Sequence, residues 1–337
     1  MAFTPITGGG VFTRQNLEQI NDNFARLFAY VTTGNAIYCN PGATGTSTQD
    51  GSEDNPYTSL VQAYSATRSG KNDIVFLVGD GSTGASARPT STLTLANNAA
   101  HIFGVGAPSN NTRARIATLS GNTAFASFVL VTGTGSLFAN FSLFNDNAIA
   151  NQITWTDAGG RNGYQGVNFG GMADATSAAD AGSRILKLGA TSGASGENLF
   201  LNCTFGLDTI ARSAANATIE ITTGSKRNVF RDCYFPSRCT AATPIHIKSS
   251  GTNPLETYQL FINPVFWNQQ ANGSGTTMTG VATLAASGNG NVVLVNPARF
   301  NITDWGTDAT SLAQVYVIGA SAGATDDVGR GAVAIAT

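Results

Sequence analysis

Asn198-Leu-Phe-Leu-Asn-Cys-Thr-Phe205, Asn228-Val-Phe-Arg-Asp-Cys-Tyr-Phe235 and Gln259-Leu-Phe-Ile-Asn-Pro-Val-Phe266 are three copies of one phrase. Aligned on the first aromatic they give Phe200, Phe230 and Phe261. Weaker copies extend the series to Phe138, Tyr164 and Leu294, in steps of 26, 36, 30, 31 and 33 residues. Two residues after each anchor stands a short polar residue or glycine: Asn140, Gly166, Asn202, Asp232, Asn263 and Asn296.

A phrase repeating at a loose period of about 20 to 50 residues marks a solenoid, in which each repeat buries its apolar face only against its neighbours. Leu199-Phe200-Leu201 is an apolar run of strand length between Gly196 and Gly206, too short for the paired helices of an α-solenoid. One strand type at this interval, with loops of variable length, reads as a parallel β-helix with coils about 4.8 Å apart. The Asn/Asp/Gly column then marks a sharp bend in a left-handed conformation, which those residues tolerate best. Phe138, Tyr164, Phe200, Phe230 and Phe261 are expected to stack inside, with Asn140, Asn202, Asp232, Asn263 and Asn296 beside them.

The chain has 337 residues, a formal charge of −2 and only 11% charged residues, which gives no electrostatic field for nucleic acid or an anionic membrane. With 42% apolar residues and 19 Phe it still has the material for a core. No basic segment followed by an apolar one opens the sequence, and no run approaches membrane-spanning length, so neither an export signal nor a membrane partner is expected. Cys203 and Cys233 fill the same slot of successive phrases and should stack, as buried thiols or as an inter-rung disulfide. With Cys39, Cys239, His101 and His246 the only other Cys and His, no metal site and no cofactor are expected.

Residues 1 to 33 read as an arm and helix. Thr13 is a fair N-cap, and Phe12 with Leu17 makes a hydrophobic staple. Leu17, Ile20, Phe24, Leu27 and Val31 follow at intervals of 3, 4, 3 and 4, a heptad seam. That seam either brings three chains together and anchors them to a larger particle, or caps the open end of the solenoid. Residues 34 to 318 are then the β-helix, and 319 to 337 a small-residue tail.

Ile37-Tyr-Cys-Asn-Pro-Gly, Asn55-Pro-Tyr57 ahead of Leu60 to Tyr64, Asp73-Ile-Val-Phe-Leu-Val-Gly79 and His101-Ile-Phe-Gly-Val-Gly106 resemble the opening of the pectate-lyase-like superfamily of right-handed parallel β-helices. The resemblance implies an all-β right-handed parallel β-helix preceded by a short N-terminal α-helix. It implies little about function, because that fold carries lyases, hydrolases, adhesins and virion spikes alike.

Sugar cleavage needs two carboxylates across a glycosidic bond, or in the lyases an acidic calcium cluster. Asp208 and Glu220 are the weak candidates for such a glycoside hydrolase or polysaccharide lyase site; the coil acids otherwise fall in different slots, Asp232 in the turn column and Glu197 at a turn. Trp155, Trp267, Trp305 and Tyr164 could stack on sugars if exposed, but are expected in the core or an interface. Taken together, the heptad helix, charge-poor coils and missing export signal resemble virion proteins of tailed bacteriophages. That resemblance implies a non-enzymatic homotrimer folded in the host cytoplasm, a capsid decoration or head fibre held by its N-terminus to the major capsid protein or another virion protein. The alternative is a tailspike or tail fibre that binds or cleaves a host surface glycan.

Overall fold

The structure, a computed structural model, describes residues 34–43, 48–79, 88–109, 112–118, 125, 127–189, 195–269, 275–286 and 290–319. The anchoring residues Phe12, Leu17, Ile20, Phe24, Leu27 and Val31, and the tail beyond Gly319, lie outside the described residues.

The chain is an all-β right-handed parallel β-helix. One coil shows the path: Leu137–Ala139, a turn at Asn140, Ser142–Phe144, then Ile153–Asp157, and back to Gly163–Gln165 one rung further on. Stacking these segments builds three sheets. The first has ten strands, from Ala36–Cys39 to Val315–Ile318. The second runs from Arg115–Ala117 to Ala298–Phe300, and the third from Leu93–Leu95 to Ile302–Gly306. The pairings are parallel, because every strand meets its counterpart one coil away running the same way.

The opening matches its sequence grammar element by element: Ala36–Cys39, a short helix Leu60–Ser65, then Ile74–Val78 paired with His101–Val105. Residues 170 to 182 carry one helical turn, Ala175–Ala178, capped where Thr176 N–H donates to the Asp174 carboxylate at 2.7 Å. At the far end the helix Ala309–Gln314 is capped by Asp308, which accepts from Ser311 N–H at 2.7 Å.

The interior is ordered as columns of like residues. Phe138 and Tyr164 have ring centroids 5.1 Å apart, followed by Tyr164–Phe200 at 4.4 Å, Phe200–Phe230 at 4.5 Å and Phe230–Phe261 at 4.4 Å. The last three pairs are within 7° of parallel. The phrase's closing aromatic builds a second column on the second sheet, Phe169, Phe205, Phe235 and Phe266, spaced 4.8, 5.2 and 4.8 Å. The two columns meet edge to face, as Phe200 and Phe205 do at 5.7 Å and 67°. Parallel β-pairing fixes the rung spacing, and that spacing happens to suit offset aromatic stacking, so one geometry satisfies both.

Cys39, Cys203, Cys233 and Cys239 are all free and buried, so the inter-rung disulfide does not form. Cys203 and Cys233 instead direct their thiols at the carbonyls of Tyr164 (3.5 Å) and Phe200 (3.6 Å), and burial raises Cys233 well above the usual thiol range.

Candidate interaction surface

The corner between the first and second sheets carries the expected turn column. Asn140, Gly166, Asn202, Asp232, Asn263 and Asn296 all have φ between 47° and 60°. Gly319, at φ 76°, takes the same corner at the last rung, directly after the strand residue paired with Val295. Side chains bond up the column where neighbours are polar: Asn263 Nδ2 donates to Asp232 Oδ1 at 2.8 Å, and Asn296 Nδ2 to Asn263 Oδ1 at 3.4 Å.

The opposite corner of each first-sheet strand holds a second ladder that sequence reading passed over, although its members begin the quoted phrases. Asn162, Asn198, Asn228 and Gln259 are buried, and the side-chain oxygens of Asn198, Asn228 and Gln259 each accept from the rung before. Asn162 N–H donates to Asn198 Oδ1 (2.9 Å), Asn198 N–H to Asn228 Oδ1 (3.1 Å), and Asn228 Nδ2 to Gln259 Oε1 (2.8 Å). Buried amides satisfied in this way pin register without any charge. Immediately before them stand Arg161, Glu197 and Arg227, again with positive φ (55°, 58° and 51°). Glu197 is indeed a turn residue, but both guanidiniums grip it, Arg161 at 2.8 Å and Arg227 closer still, and they hold its carboxyl below the usual range.

The two candidate acids lie in separate settings. Glu220 is on the third sheet, in register with Lys187 and Lys248, ion-paired to Arg184 at 3.3 Å and accepting from Ser250 Oγ at 2.7 Å. Asp208 is in the turn after the strand Thr204–Phe205; burial, with the nearby Asp208 carboxylate second, raises the Tyr234 phenol. Trp155, Trp305 and Tyr164 are buried, whereas Trp267 is half-buried with its ring 4.8 Å from the exposed Phe300. His246 is enclosed in the core, its Nδ1 3.1 Å from Thr218 Oγ1; burial, with the nearby Arg212 cation, holds it neutral.

One buried acid went unremarked in the sequence. Asp157 takes 2.6 Å and 3.0 Å hydrogen bonds from Tyr164 O–H and Gly159 N–H, and Asn162 Nδ2 lies 3.2 Å from the same oxygen as the phenol. Burial pushes its carboxyl up to about 6 despite these donors. A folded-state pKa above the unfolded one means that the native state holds the proton longer, so stability falls as pH rises through the interval from about 4 to about 6. The expected loss, read from denaturant midpoints across that range, is on the order of 3 kcal/mol. Asp157→Asn should flatten the pH dependence; an unchanged slope would assign it elsewhere.

The outer faces of the sheets differ in kind. On the third sheet the outward column reads Thr94, Leu130, Thr156, Lys187, Glu220, Lys248 and Thr283, polar at every rung but Leu130. On the first sheet the residues flanking the inward Phe column point out. One row is Leu137, Gly163, Leu199, Val229, Leu260, Val293 and Tyr316, apolar side chains but for the glycine. The other carries Leu201, Ile262, Val295 and Ile318, broken by Arg231, and is separated by Gln165 and Ala139 from the ring ladder Tyr38, Phe76 and Phe103 at its N-terminal end. These residues are half-buried, and Leu199 is 44% exposed. Ten rungs at the parallel-strand spacing make a stripe about 43 Å long. Its uninterrupted apolar part, from Leu199 to Tyr316, covers five rungs, about 19 Å, and an outward apolar row of this kind is characteristic of an interaction surface.

No protein-family profile matches the chain, and no curated protein matches it. Among solved structures it is similar to pectin methylesterase PemA from Erwinia chrysanthemi, at 13% identity and TM-score 0.57, over 90% of this chain and 93% of that one. It is also similar to a pectin methylesterase in complex with a hexasaccharide, at 12% identity and TM-score 0.53, with the same coverage. The likeness is one of fold.

Proposed function

We propose that the chain is the β-helical subunit of a homotrimeric, non-enzymatic virion protein of a tailed bacteriophage, a capsid decoration or head fibre. It folds in the host cytoplasm and is held through residues 1 to 33 to the major capsid protein or another virion protein. The observation that supports this reading is the apolar outer face of the first sheet. Three copies arranged with that face inward would cover it along its length and leave the polar third sheet in water. The heptad seam Leu17 to Val31 would set the same threefold register at the base. Glu220 is already engaged by Arg184 and Ser250, which suits a structural acid rather than a general acid or base.

The native mass tests the assembly. Light scattering on the purified chain should return three times 34.7 kDa, and a monomer would overturn the proposal. Mass spectrometry of purified particles of the encoding phage separates the locations: many copies per capsid mark a head protein, and a few per particle a tailspike or tail fibre that contacts host glycan.

A further inference from the structure

Each first-sheet strand runs between two corners, and at one rung those corners carry opposite charge. Arg227, exposed and at φ 51°, stands before the strand Asn228–Arg231, and Asp232, exposed and at φ 54°, stands after it. The leading corner reads Arg161, Glu197 and Arg227, then the uncharged Tyr258 and Asn291. The trailing corner is the turn column, where Asp232 is an acid between the neutral Asn202 and Asn263. Asn263 Nδ2 occupies Asp232 Oδ1 at 2.8 Å, and among the described residues neither Asp232 nor Arg231 forms an ion pair.

We propose that Arg227 of one copy pairs with Asp232 of the next copy, and that this contact sets the height at which subunits meet. The inference rests on the assembly proposed above, with the first-sheet faces turned inward around an axis along the solenoid. Rotation about such an axis leaves every rung at its own height and brings the leading corner of each copy to the trailing corner of its neighbour. Arg227 and Asp232 share a rung, so they arrive at the same level. The junction joins Arg227 and Glu197 of one chain to Arg231 and Asp232 of the other, two charges of each sign. It thereby supplies carboxylates to Arg231, the one charge in the two outward rows.

The apolar rows do not set this height by themselves. Leu199, Val229, Leu260 and Val293 present nearly the same surface at each rung, so a neighbour displaced by about 4.8 Å finds equivalent apolar contacts. A displaced head-to-tail contact does not close; it propagates as an open filament. The alternating corner distinguishes the positions. A slip of one rung sets Asp232 against Glu197 in one direction and against uncharged Tyr258 in the other. Two rungs bring it to Arg161 but leave two rungs of the apolar rows uncovered. Opposite charges in step favour the aligned ring, and like charges oppose the slip.

Cross-linking tests the pairing. A variant with Arg227→Cys and Asp232→Cys, treated with a short bismaleimide, should run as a covalent trimer on a denaturing gel. The two sites of one chain lie at opposite ends of a strand, so only neighbouring chains bring them together. The four native cysteines are buried, and the wild-type chain serves as the control for their reaction. Arg161→Cys with Asp232→Cys, two rungs out of step, should give little product. Sedimentation of charge variants is the second readout. Asp232→Asn, which keeps an acceptor for Asn263, should raise the dissociation midpoint of the trimer about threefold, and Asp232→Lys about tenfold or more, with far-UV dichroism unchanged. A wild-type trimer would overturn the pairing, and leave the assembly standing, if the first cysteine variant gave no covalent trimer, if both cysteine variants linked equally, or if Asp232→Lys held together as tightly as wild type. A wild-type monomer would overturn both.

Discussion

Replacing Phe230 with Ala is expected to lower the unfolding free energy by about 3 to 5 kcal/mol, the range for truncating a buried aromatic. The ring lies between Phe200 at 4.5 Å and Phe261 at 4.4 Å, nearly parallel to both, with Phe205 edge-on at 5.8 Å. Its neighbours are held by their own β-pairing, so the coil has little freedom to collapse into the space. Chemical denaturation followed by far-UV dichroism measures the loss. Phe300→Ala, at a ring 46% exposed, serves as the reference and should change stability by no more than about 0.5 kcal/mol. A loss below 1 kcal/mol at Phe230 would mean that the stack contributes no more than ordinary surface contacts.

The second large effect concerns assembly. In the double variant Leu199→Glu with Leu260→Lys, two charges of opposite sign stand two rungs apart on the outer face, where an isolated chain solvates both. A trimer that covers this face would have to bury them, and an imperfectly paired buried charge costs several kcal/mol. The expected result is a mass of 34.7 kDa by light scattering with the dichroism of the wild-type fold. A trimer that persists in the variant would place the subunit contact on another face.

The architecture was legible because the coils advertise themselves. A stacked column demands the same residue type at the same slot, so Phe200, Phe230 and Phe261 recur with their turn residues Asn202, Asp232 and Asn263, and alignment by eye recovers the rungs. Other features left weaker traces. Asn198, Asn228 and Gln259 begin the phrases, yet an amide before a strand is equally expected of a solvated turn; only the fold reveals that these bond rung to rung in the interior. The outer apolar face was hidden for another reason. Leu199-Phe200-Leu201 is apolar at every position, so period-2 alternation, which separates inside from outside, is absent. Asp157 and Tyr164 are seven residues apart and meet only because a coil turns between them.

The rung-to-rung hydrogen bonding at Asn162, Asn198, Asn228 and Gln259 has a consequence for how such a chain can change length. From Asn162 to Asn228 each member's backbone N–H meets the side-chain oxygen of its equivalent in the next coil. An in-frame duplication of residues 200 to 229 would therefore present each new surface with a copy of the surface it already fits. The coil is thus a unit of measure, about 4.8 Å of reach per duplication, and the protein can be lengthened or shortened like a ruler without redesigning its ends.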